Sequence, residues 1–432
     1  MIERYTRKIM DDVWTLENKY QKWLEVELAI MQAHEEMGTI PAGITQSVRK
    51  KAKFDVKRIE EIEEITRHDI VAFNENVREY LTPQEGSFLH YGVTSSDIVD
   101  TANALLLKRS CEIIIDDIKQ LLETLKKRAF EFKDTPMIGR SHGIHAEPIT
   151  FGFVIALWYE EMKRNLQRME QARQTVSYGK ISGSMGTFAN VDLGLEERAC
   201  EILGLKPDPI SNQIIQRDRY AQYMTTLAII AATIEKIALQ IRHYQRTEVQ
   251  EAEEYFHGGQ KGSSSMPHKR NPVLSENLDG LARLVRSNAL CALENVALWH
   301  ERDISHSSNE RIILPDSSIA IDFMLNRLNN ILSNLVVYKE KMFENLNLTR
   351  GVIYSQRVML KLIEKGLDKE TAYKITQSLA FESWNNKVDY KLLLAKNEII
   401  GKYLSEQELT ECFDYTYFLR NIDKIFNRVF DK

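Results

Sequence analysis

Five of the ten histidines in this 432-residue sequence occur in four short polar segments. They are His68 in TRHDIV, His90 in LHYGVTSSD, His142 and His145 in GRSHGIHAEP, and His268 in MPHKRNP. Imidazole titrates near neutral pH, so it can accept or donate a proton during catalysis. A lone histidine is usually structural or solvated, but four such segments, each near a break between helices, favour one shared site.

The stretch GGQKGSSSMPHKRNP, residues 258–272, separates two segments that have the pattern of buried helices. It combines glycines that permit movement, cations, and prolines that keep it apart from the flanking helices: Gly258, Gly259 and Gly262; Lys261, Lys269 and Arg270; Pro267 and Pro272. A solvated linker needs none of the cations. The stretch is therefore interpreted as a mobile loop that closes over an anionic substrate and carries a catalytic group. It lacks the GxxxxGK[ST] spacing of a nucleotide P-loop.

The segment TSSDIVDTANALLLK places Thr94, Ser95 and Ser96 ahead of a helical pattern, with Asp97 three positions after Thr94. That spacing is typical of a capping box, which explains the segment structurally. The first-turn amides and hydroxyls of such a helix could also bind a carboxylate or phosphate. Capping is the favoured interpretation from the residues alone.

The segment WHERDISHSSNERIILPD contains two arginines and three serines. If it is helical, Ser307 and Arg311 are neighbours on one face, and a hydroxyl and a guanidinium could share one phosphate. The alternative is a solvated surface held by salt bridges.

His142 occupies a glycine-flanked turn shortly before Pro148, which suits the first position of a following helix. A histidine fixed at the start of a helix could act as a general acid or base. A turn histidine bonded to the backbone remains the competing interpretation.

Metal and redox sites have little support in the sequence. HERDISH separates its histidines by six positions, so they do not share a helical face as in HExxH. Gly183 and Gly186 in SGSMG fit a turn better than a dinucleotide fingerprint. We predict no metal and no redox cofactor.

Long helices must position these segments, because proline is absent from 149–206, 210–266 and 316–432. Apolar residues recur at helical spacing in the second of these stretches, in an earlier segment, and immediately after the loop 258–272. The three stripes are Ile114, Ile118, Leu121, Leu122, Leu125 and Ala129; Ile230, Ile234, Ile237 and Ile241; and Leu274, Leu278, Leu281, Val285, Ala289, Ala292 and Val296. Few segments alternate with a period of two, so the predicted fold is all-α.

Breaks near Gly92 and in the polar segment 345–351 predict three domains. These are an N-terminal helical domain (1–93), a central long-helix bundle (94–350) and a C-terminal helical cap (351–432). Wide apolar faces on such helices favour burial against other subunits as well.

Composition restricts the possible partners and the compartment. A net charge of -5 provides no general attraction to nucleic acid, and 43% hydrophobic with 28% charged residues is typical of a soluble globular protein. The four cysteines show no CxxC pairing, and the N-terminus lacks the apolar core of a secretory signal. We therefore expect a cytoplasmic protein, with neither nucleic acid nor membrane as a partner.

GSSSMPHKRNP resembles the GSSxMPxKxNP signature of the fumarase/aspartase superfamily. Together with TRHDIVAF, HYGVTSSD, GRSHGIHAEP and HERDISHSSNER, it is similar to the adenylosuccinate lyase family within that superfamily. The resemblance covers essentially the whole chain. It implies a fumarase/aspartase-like all-α fold whose long central helices form the core of a homotetramer, with each active site shared among three subunits.

The resemblance also implies a reaction, the β-elimination of fumarate. The substrates of the family are adenylosuccinate, which gives AMP, and the succinylated carboxamide ribonucleotide SAICAR, which gives AICAR in purine nucleotide biosynthesis. No cofactor is implied. If the protein is an enzyme, the alternative is another fumarate-releasing lyase, such as argininosuccinate lyase or aspartase. If it is not an enzyme, the alternative is a non-catalytic helical scaffold.

Residue roles follow from the same match. Ser263 is the implied general base, Lys269 and Asn271 stabilise developing charge, His142 is the general acid, and Glu276 orients it. The remaining residues bind substrate, at the nucleotide end, at the succinyl end and along the pocket wall: Arg4, Tyr5, Arg302, Ser307, Ser308, Asn309 and Arg311; Thr94 and Ser95; Arg67, His68, Asp69, His90 and Gln213. His268 is expected to shape the loop rather than to take part in the chemistry.

Overall fold

The computed structural model describes residues 1–259 and 261–431 of the chain. Within them the α-helices are α1 Lys8–Trp14, α2 Leu16–Glu36, α3 Ile44–Lys51, α4 Val56–Thr66, α5 Asp69–Arg78, α6 Pro83–Gly86, α7 Ser95–Glu131, α8 Phe151–Val176, α9 Leu193–Leu203, α10 Asp218–Gln245, α11 Val273–Glu294, α12 Ser305–Asn334, α13 Lys339–Leu346, α14 Ser355–Glu364, α15 Lys369–Asn386, α16 Tyr390–Ala395, α17 Glu398–Tyr403, α18 Glu406–Cys412, α19 Thr416–Leu419 and α20 Ile422–Phe430. Two 3-10 helices span Glu3–Tyr5 and Val352–Tyr354. The predicted all-α class is confirmed.

Short strands join in pairs between the helices. The strands are β1 Pro136–Ser141, β2 Ile144–Thr150, β3 Tyr178–Gly179, β4 Lys206–Pro207, β5 Ala252–Glu253 and β6 Val336–Val337. β1 and β2 form an antiparallel hairpin, β3 and β4 pair in parallel, and β5 and β6 pair antiparallel.

The predicted apolar stripes lie on the long helices and are mostly buried. All six stripe residues of α7 and all four isoleucines of α10 are buried. On α11 the stripe is buried from Leu278 to Ala292, whereas Val296 lies beyond the helix and is exposed. Each buried isoleucine stabilises the fold by ~1.5–3 kcal/mol relative to an exposed one, so these faces hold the helices in place.

One compact unit comprises Met1–Leu121, Met162–Lys236 and Asn277–Leu328. Its N-terminal core is aromatic, with the ring of Trp23 packed edge-on against Phe73 at 5.5 Å and Tyr20 stacked on Phe73 at 5.8 Å. A helix contributes both Tyr20 and Trp23 from one face because they are three positions apart.

A second compact unit comprises Leu122–Glu161, Ile237–Glu276 and Asn329–Lys432. Its C-terminal helices enclose a core that includes Val358, Leu362 and Tyr390, all fully buried. The hairpin β1–β2 and the loop 258–272 also belong to this unit. The division into domains 1–93, 94–350 and 351–432 stays a prediction.

Helix α12 continues through Pro315, where the sequence gives a reason for a helix to stop. A proline inside a helix removes one backbone donor and clashes with the preceding turn. On either side of it Leu314 and Ile319 are buried, and the packing of this face offsets the lost hydrogen bond. The helix begins at Ser305, ten residues before Pro315.

Helix α10 is long and apolar enough to cross a membrane by length and composition, with a mean hydropathy of 1.5 in its most apolar window. Within that window 56% of the residues are buried inside the protein, as in the core helix of a globular fold. This helix carries the predicted isoleucine stripe, and its composition follows from that burial.

Candidate active site

The loop that contains Ser263 runs between β5 and α11 in the second unit. The Ser263 hydroxyl oxygen accepts hydrogen bonds from the backbone N–H groups of Met266 at 3.1 Å and Ser265 at 3.3 Å. The Asn271 side-chain amide donates to the Gly262 carbonyl at 2.8 Å. A Cβ on Gly262 would lie 2.0 Å from the Lys269 carbonyl oxygen, so the turn requires glycine. Gln260, within the predicted loop, lies outside the described residues.

A cavity of about 1040 Å³ opens beside this loop, within the second unit. Three of the predicted site residues line it, namely Lys269, Asn271 and Glu276. Other charged or titratable lining residues are Arg242, His243, Arg246, Glu253, His268, Arg270, Tyr338, Glu340, Lys341 and Glu344. The arginines and lysines in this wall suit an anionic substrate.

His142 lies at the tip of the β1–β2 hairpin, not at the start of a helix. Ser141 pairs with Ile144, and the two residues between them, His142 and Gly143, have φ values of 52° and 79°. Positive φ at both positions is typical of a type I′ turn. The His142 side chain is exposed.

The expected helix start at Pro148 is wrong, because Pro148 lies in β2 opposite Ile138 and α8 begins at Phe151. The strand pairing is irregular between Ile138 and Arg140, and a proline, which has no N–H to donate, is tolerated at such a bulge. Pro148, which the sequence suggested as the first residue of a helix, is therefore a residue of strand β2.

The hairpin is held near its tip by a largely buried ion pair. Arg140 donates through both terminal nitrogens to Glu251, at 2.7 and 2.9 Å, and the Asn345 amide donates to the same carboxylate at 2.9 Å. Burial and the Arg140 charge together lower the pKa of His145, so this histidine is neutral near pH 7. The hairpin that carries His142 is thus anchored by charged contacts.

Glu276 lies in the first turn of α11, where its side chain is half-exposed. One of its carboxylate oxygens is 4.0 Å from Arg242. Among residues 1–259 and 261–431 there is no hydrogen bond between His142 and Glu276, so the predicted orientation of the histidine by this carboxylate stays a prediction.

In the first unit, Asp69 connects several predicted binding residues. Its Oδ2 accepts from Arg311 at 2.6 Å, and its Oδ1 lies 3.7 Å from His68 Nδ1. His68 Nε2 is 3.5 Å from the Ser95 hydroxyl. Burial alone would raise the pKa of Asp69, but the hydrogen bond and charge of Arg311 lower it overall, so Asp69 is a carboxylate.

The predicted helical pairing of Ser307 with Arg311 is confirmed, since Arg311 Nε lies 3.4 Å from the Ser307 hydroxyl within α12. Ser308 is exposed on the same helix. Asn309 exchanges amide hydrogen bonds with Asn295, at 2.6 and 3.0 Å, which gives it a structural role in holding the segment before α12.

His90 is held by a buried carboxylate. Its Nδ1 lies 2.7 Å from Glu27 Oε1, and its backbone N–H donates to Glu27 Oε2 at 2.9 Å. Burial would lower the pKa of His90, but the hydrogen bond and charge of Glu27 raise it overall. The positive φ of 64° at His90 is held in place by these contacts.

One of the two hydrogen bonds of the predicted capping box at Thr94 is present. The Thr94 N–H donates to Asp97 Oδ2 at 2.8 Å, directly before α7 begins at Ser95. Asp97 also accepts from the buried Lys180 ammonium at 2.6 Å. This carboxylate therefore ties the start of α7 to the segment after β3.

The remaining predicted residues are more widely distributed. Arg4 is exposed in the first 3-10 helix, while the Tyr5 hydroxyl accepts from Asn277 at 3.1 Å. Arg67 is an exposed helix-ending residue with φ 54°, and Gln213 is half-buried.

Two residues near these clusters were not identified from the sequence. Lys19 lies over the rings of Trp23 and Tyr20, and burial together with the Arg311 charge lowers its pKa to about 8. Glu27 holds His90. A charged residue inside the apolar stretch WLEVELAIM is the signal that could have indicated Glu27.

Among the described parts of the chain, no group of three or more His, Cys, Asp or Glu side chains could hold a metal ion. The clusters instead present hydroxyls, amides, imidazoles and cations. Such groups bind carboxylates and phosphates, and they can transfer protons.

Several solved structures have the same fold. A fumarate lyase from Mesorhizobium sp. BNC1 superimposes with a TM-score of 0.90 at 25% identity, covering 99% of each chain. A 3-carboxy-cis,cis-muconate lactonizing enzyme from Pseudomonas putida superimposes with a TM-score of 0.89 at 24% identity, covering 98% of this chain and 96% of the other. The fold is therefore that of the fumarase/aspartase superfamily.

Residues 2–287 match the family described as "Lyase", which defines the chain as a lyase of that superfamily. Residues 351–429 match the family described as "Adenylosuccinate lyase C-terminus". The adenylosuccinate lyase of Bacillus subtilis (strain 168) is 52% identical over 429 residues, and that of Thermotoga maritima is 50% identical over 428, with 99% of each chain covered in both cases. The chain belongs to the adenylosuccinate lyase family.

Proposed function

We propose that the chain is an adenylosuccinate lyase, which releases fumarate from adenylosuccinate to give AMP and from SAICAR to give AICAR. Identity of 50–52% over nearly the whole length of two adenylosuccinate lyases supports this assignment. The match over residues 351–429 supports it independently of the shared superfamily core.

The difficult step is removal of a proton from the succinyl carbon that lies between a carboxylate and the carbon bonded to nitrogen. The electron pair left behind spreads into that carboxylate and forms a doubly charged intermediate. Preorganised donors can stabilise such charge by ~3–4 kcal/mol each. The carbon-nitrogen bond then breaks, the carbon-carbon double bond of fumarate forms, and the leaving nitrogen takes up a proton.

Ser263 is proposed as the base that removes this proton. The observation that carries the mechanism is its hydroxyl oxygen, which accepts hydrogen bonds from two backbone N–H groups of its own loop. Amide donors favour a charged alkoxide over a neutral hydroxyl, as a serine base requires. Lys269, on the wall of the adjacent cavity, and Asn271 are proposed to stabilise the charge that develops on the substrate carboxylate.

His142 is proposed as the acid that protonates the leaving nitrogen. Its exposed position on a two-residue hairpin turn supports this role, because the side chain can reach a substrate while the backbone is held. Glu276 is proposed to orient His142. We propose that the pair forms between subunits, since the two side chains do not bond within the described chain.

The substrate carries a phosphate and two carboxylates, so it needs several cationic partners. Arg302, Ser307 and Arg311 are proposed at its nucleotide end, together with Arg4 and Tyr5. The Arg311–Ser307 contact supports a phosphate site, because a guanidinium and a hydroxyl then point to one anion. Thr94, Ser95, Lys269 and Asn271 are proposed at the succinyl end, and Arg67, His68, Asp69, His90 and Gln213 along the wall.

We further propose a cytoplasmic homotetramer in which each active site takes residues from three subunits. Large apolar side chains exposed on the long helices support this assembly, among them Leu157 (52%), Ile229 (44%) and Leu290 (60%). A stable, fully active monomer on dilution would contradict it.

The decisive experiment mixes purified protein with adenylosuccinate and measures fumarate release together with the ultraviolet spectrum of the purine. The fumarate concentration should rise at the same rate as the purine absorbance changes. Argininosuccinate, which has no purine, should release no fumarate. Fumarate released from argininosuccinate alone would indicate the other lyase, and no release from either would indicate a scaffold.

A further inference from the structure

Arg217 lies at the centre of a buried network of charged residues in the first unit. Only 3% of its surface is exposed. Its Nη1 and Nη2 donate to the two oxygens of Asp100 at 2.7 and 3.0 Å, and its Nε and Nη2 donate to Glu310 at 2.9 and 3.1 Å. Nη1 also donates to the Ile215 carbonyl at 2.8 Å. These contacts use all five N–H donors of the guanidinium, so Arg217 has none left for a substrate.

His306 extends the network towards Arg302. Its Nδ1 lies 2.8 Å from Glu310 Oε2, and its Nε2 lies 3.2 Å from Arg302 Nε. Because Arg302 can only donate, His306 Nε2 accepts from it. His306 Nδ1 faces the Glu310 carboxylate and also lies 3.2 Å from Arg217 Nη2. The contacts at both ring nitrogens therefore fix the orientation of the imidazole.

The contact at Nε decides which part of Arg302 remains available. Neither Nη1 nor Nη2 of Arg302 has a hydrogen-bond acceptor among the residues that the structure describes. With Nε held by His306, the two terminal nitrogens form the edge that can bind a phosphate or carboxylate through two bonds. An arginine fixed in this way loses less side-chain freedom on binding than one that moves freely.

The same network joins the chain segments that carry the proposed nucleotide contacts. His306 and Glu310 lie on one face of α12, and Ser307 and Arg311 each follow one position later on the neighbouring face. Asp100 lies on α7 and accepts from the Ile215 N–H at 2.9 Å, two residues after Gln213.

We propose that His306 and Arg217 are positioning residues of the active site: His306 directs the terminal nitrogens of Arg302 at the substrate anion, and Arg217 fixes α7, α12 and the segment before α10 around it. This inference rests on the proposed function, because it takes Arg302 as a substrate contact. It adds two residues that touch no substrate but determine how the nucleotide end is bound.

A purely structural role is the alternative, and a buried ion network alone is weak evidence for either role. The discriminating variant is His306→Leu, which keeps most of the volume and removes the acceptor for Arg302. We expect the KM for adenylosuccinate to rise about tenfold with kcat within about threefold, because an interaction that binds substrate and transition state equally is lost. His306→Gln places an amide oxygen where it can accept from Arg302 and should recover most of the affinity.

The matched control is His34→Leu. His34 is also a buried histidine of the first unit, and its Nδ1 lies 2.7 Å from the Thr39 hydroxyl, outside this network. The His34→Leu variant should have a lower thermal midpoint of unfolding and an unchanged KM for adenylosuccinate. If both leucine variants lower the midpoint and neither changes KM, the role is structural and the proposal is wrong.

A double-mutant cycle tests the path through Arg302. In an Arg302→Ala background, His306→Leu should change KM by less than about twofold, and an undiminished tenfold effect there would overturn the proposal. Should His306→Leu fail to fold, Glu310→Gln, which weakens the acceptor for His306 Nδ1, takes its place in the same cycle.

Calorimetric titration with AMP separates this inference from the proposed function. A wild-type protein that releases no fumarate would refute the function. Weaker AMP binding by the His306→Leu variant would still support the positioning of Arg302, and equal binding by both proteins would refute it.

Discussion

The Nη2 atom of Arg311 lies 2.6 Å from Oδ2 of Asp69, so the arginine proposed to bind phosphate already has an anionic partner. About half of the Arg311 side chain is exposed, whereas Asp69 is largely buried. The remaining N–H groups of Arg311 can therefore reach a substrate while Asp69 holds the guanidinium in place. A lysine cannot make both contacts with one planar group.

We expect Arg311→Lys to raise the KM for adenylosuccinate about tenfold, which corresponds to ~1.4 kcal/mol of lost binding, with a small change in kcat. Steady-state kinetics would measure both constants. Arg58→Lys is the control, because Arg58 forms an exposed pair with Glu79 at 2.9 Å in the same unit. Equal KM values for the two variants would remove Arg311 from the binding site.

Ser263→Ala tests the proposed base. Removing a general base typically lowers turnover by ~100-fold to 10,000-fold, and we expect a loss in this range with an unchanged assembly. Fumarate release would be measured on protein whose size is checked in solution. Ser264→Ala changes the adjacent, exposed serine of the same loop and should retain activity. Native turnover by the Ser263 variant would exclude the serine mechanism.

Local signals in the sequence predicted the helices well and the hairpin poorly. The isoleucines of α10 recur at helical spacing because one face of that helix is buried along its length. β1 and β2 are short, and Pro148 suggested the start of a helix. The sequence therefore shows no clear strand pattern in this region. Their pairing depends on a two-residue turn at His142 and Gly143 that only the backbone geometry reveals.

The sequence likewise indicates some residues of the candidate site and gives no sign of others. Ser263 and Lys269 belong to a contiguous motif, and the resemblance identifies them directly. Arg217 has no local signal, because its partners Asp100 and Glu310 are 117 and 93 positions away. Buried charged networks of this kind depend on the tertiary fold, which residue spacing does not encode.

Glu276→Gln tests the carboxylate proposed to orient His142. We expect turnover to fall about 100-fold, because the imidazole loses the partner that favours its protonated form. Stability should change little: the side chain is half-exposed, its Arg242 partner is 4.0 Å away, and surface pairs contribute ~0–1 kcal/mol. Turnover and thermal midpoints would be compared with Glu294→Gln at the exposed end of the same helix. Unchanged turnover would remove Glu276 from the mechanism.

The N-terminal segment that carries Arg4 and Tyr5 is anchored by a pair of acids. Arg7 Nη1 lies 3.0 Å from Asp117 Oδ1 and 2.8 Å from Asp322 Oδ1. Burial and the neighbouring Asp117 raise the pKa of Asp322 to about 8, although Arg7 opposes this shift. Burial also raises the pKa of Asp117. The folded pair therefore retains a proton at pH values where the unfolded chain has lost it.

Stability should accordingly fall as pH rises from about 4 to about 8, because the folded state binds more protons than the unfolded state in that window. One such proton changes the free energy of unfolding by at most ~1.4 kcal/mol per pH unit. Asp322→Asn removes this titration, so the wild-type protein should lose stability relative to the variant between pH 5 and 8. Denaturant unfolding at several pH values would measure the difference. Asp12→Asn, an exposed change near the N-terminus, should give a curve parallel to wild type, and a parallel curve for Asp322→Asn would contradict the shared proton.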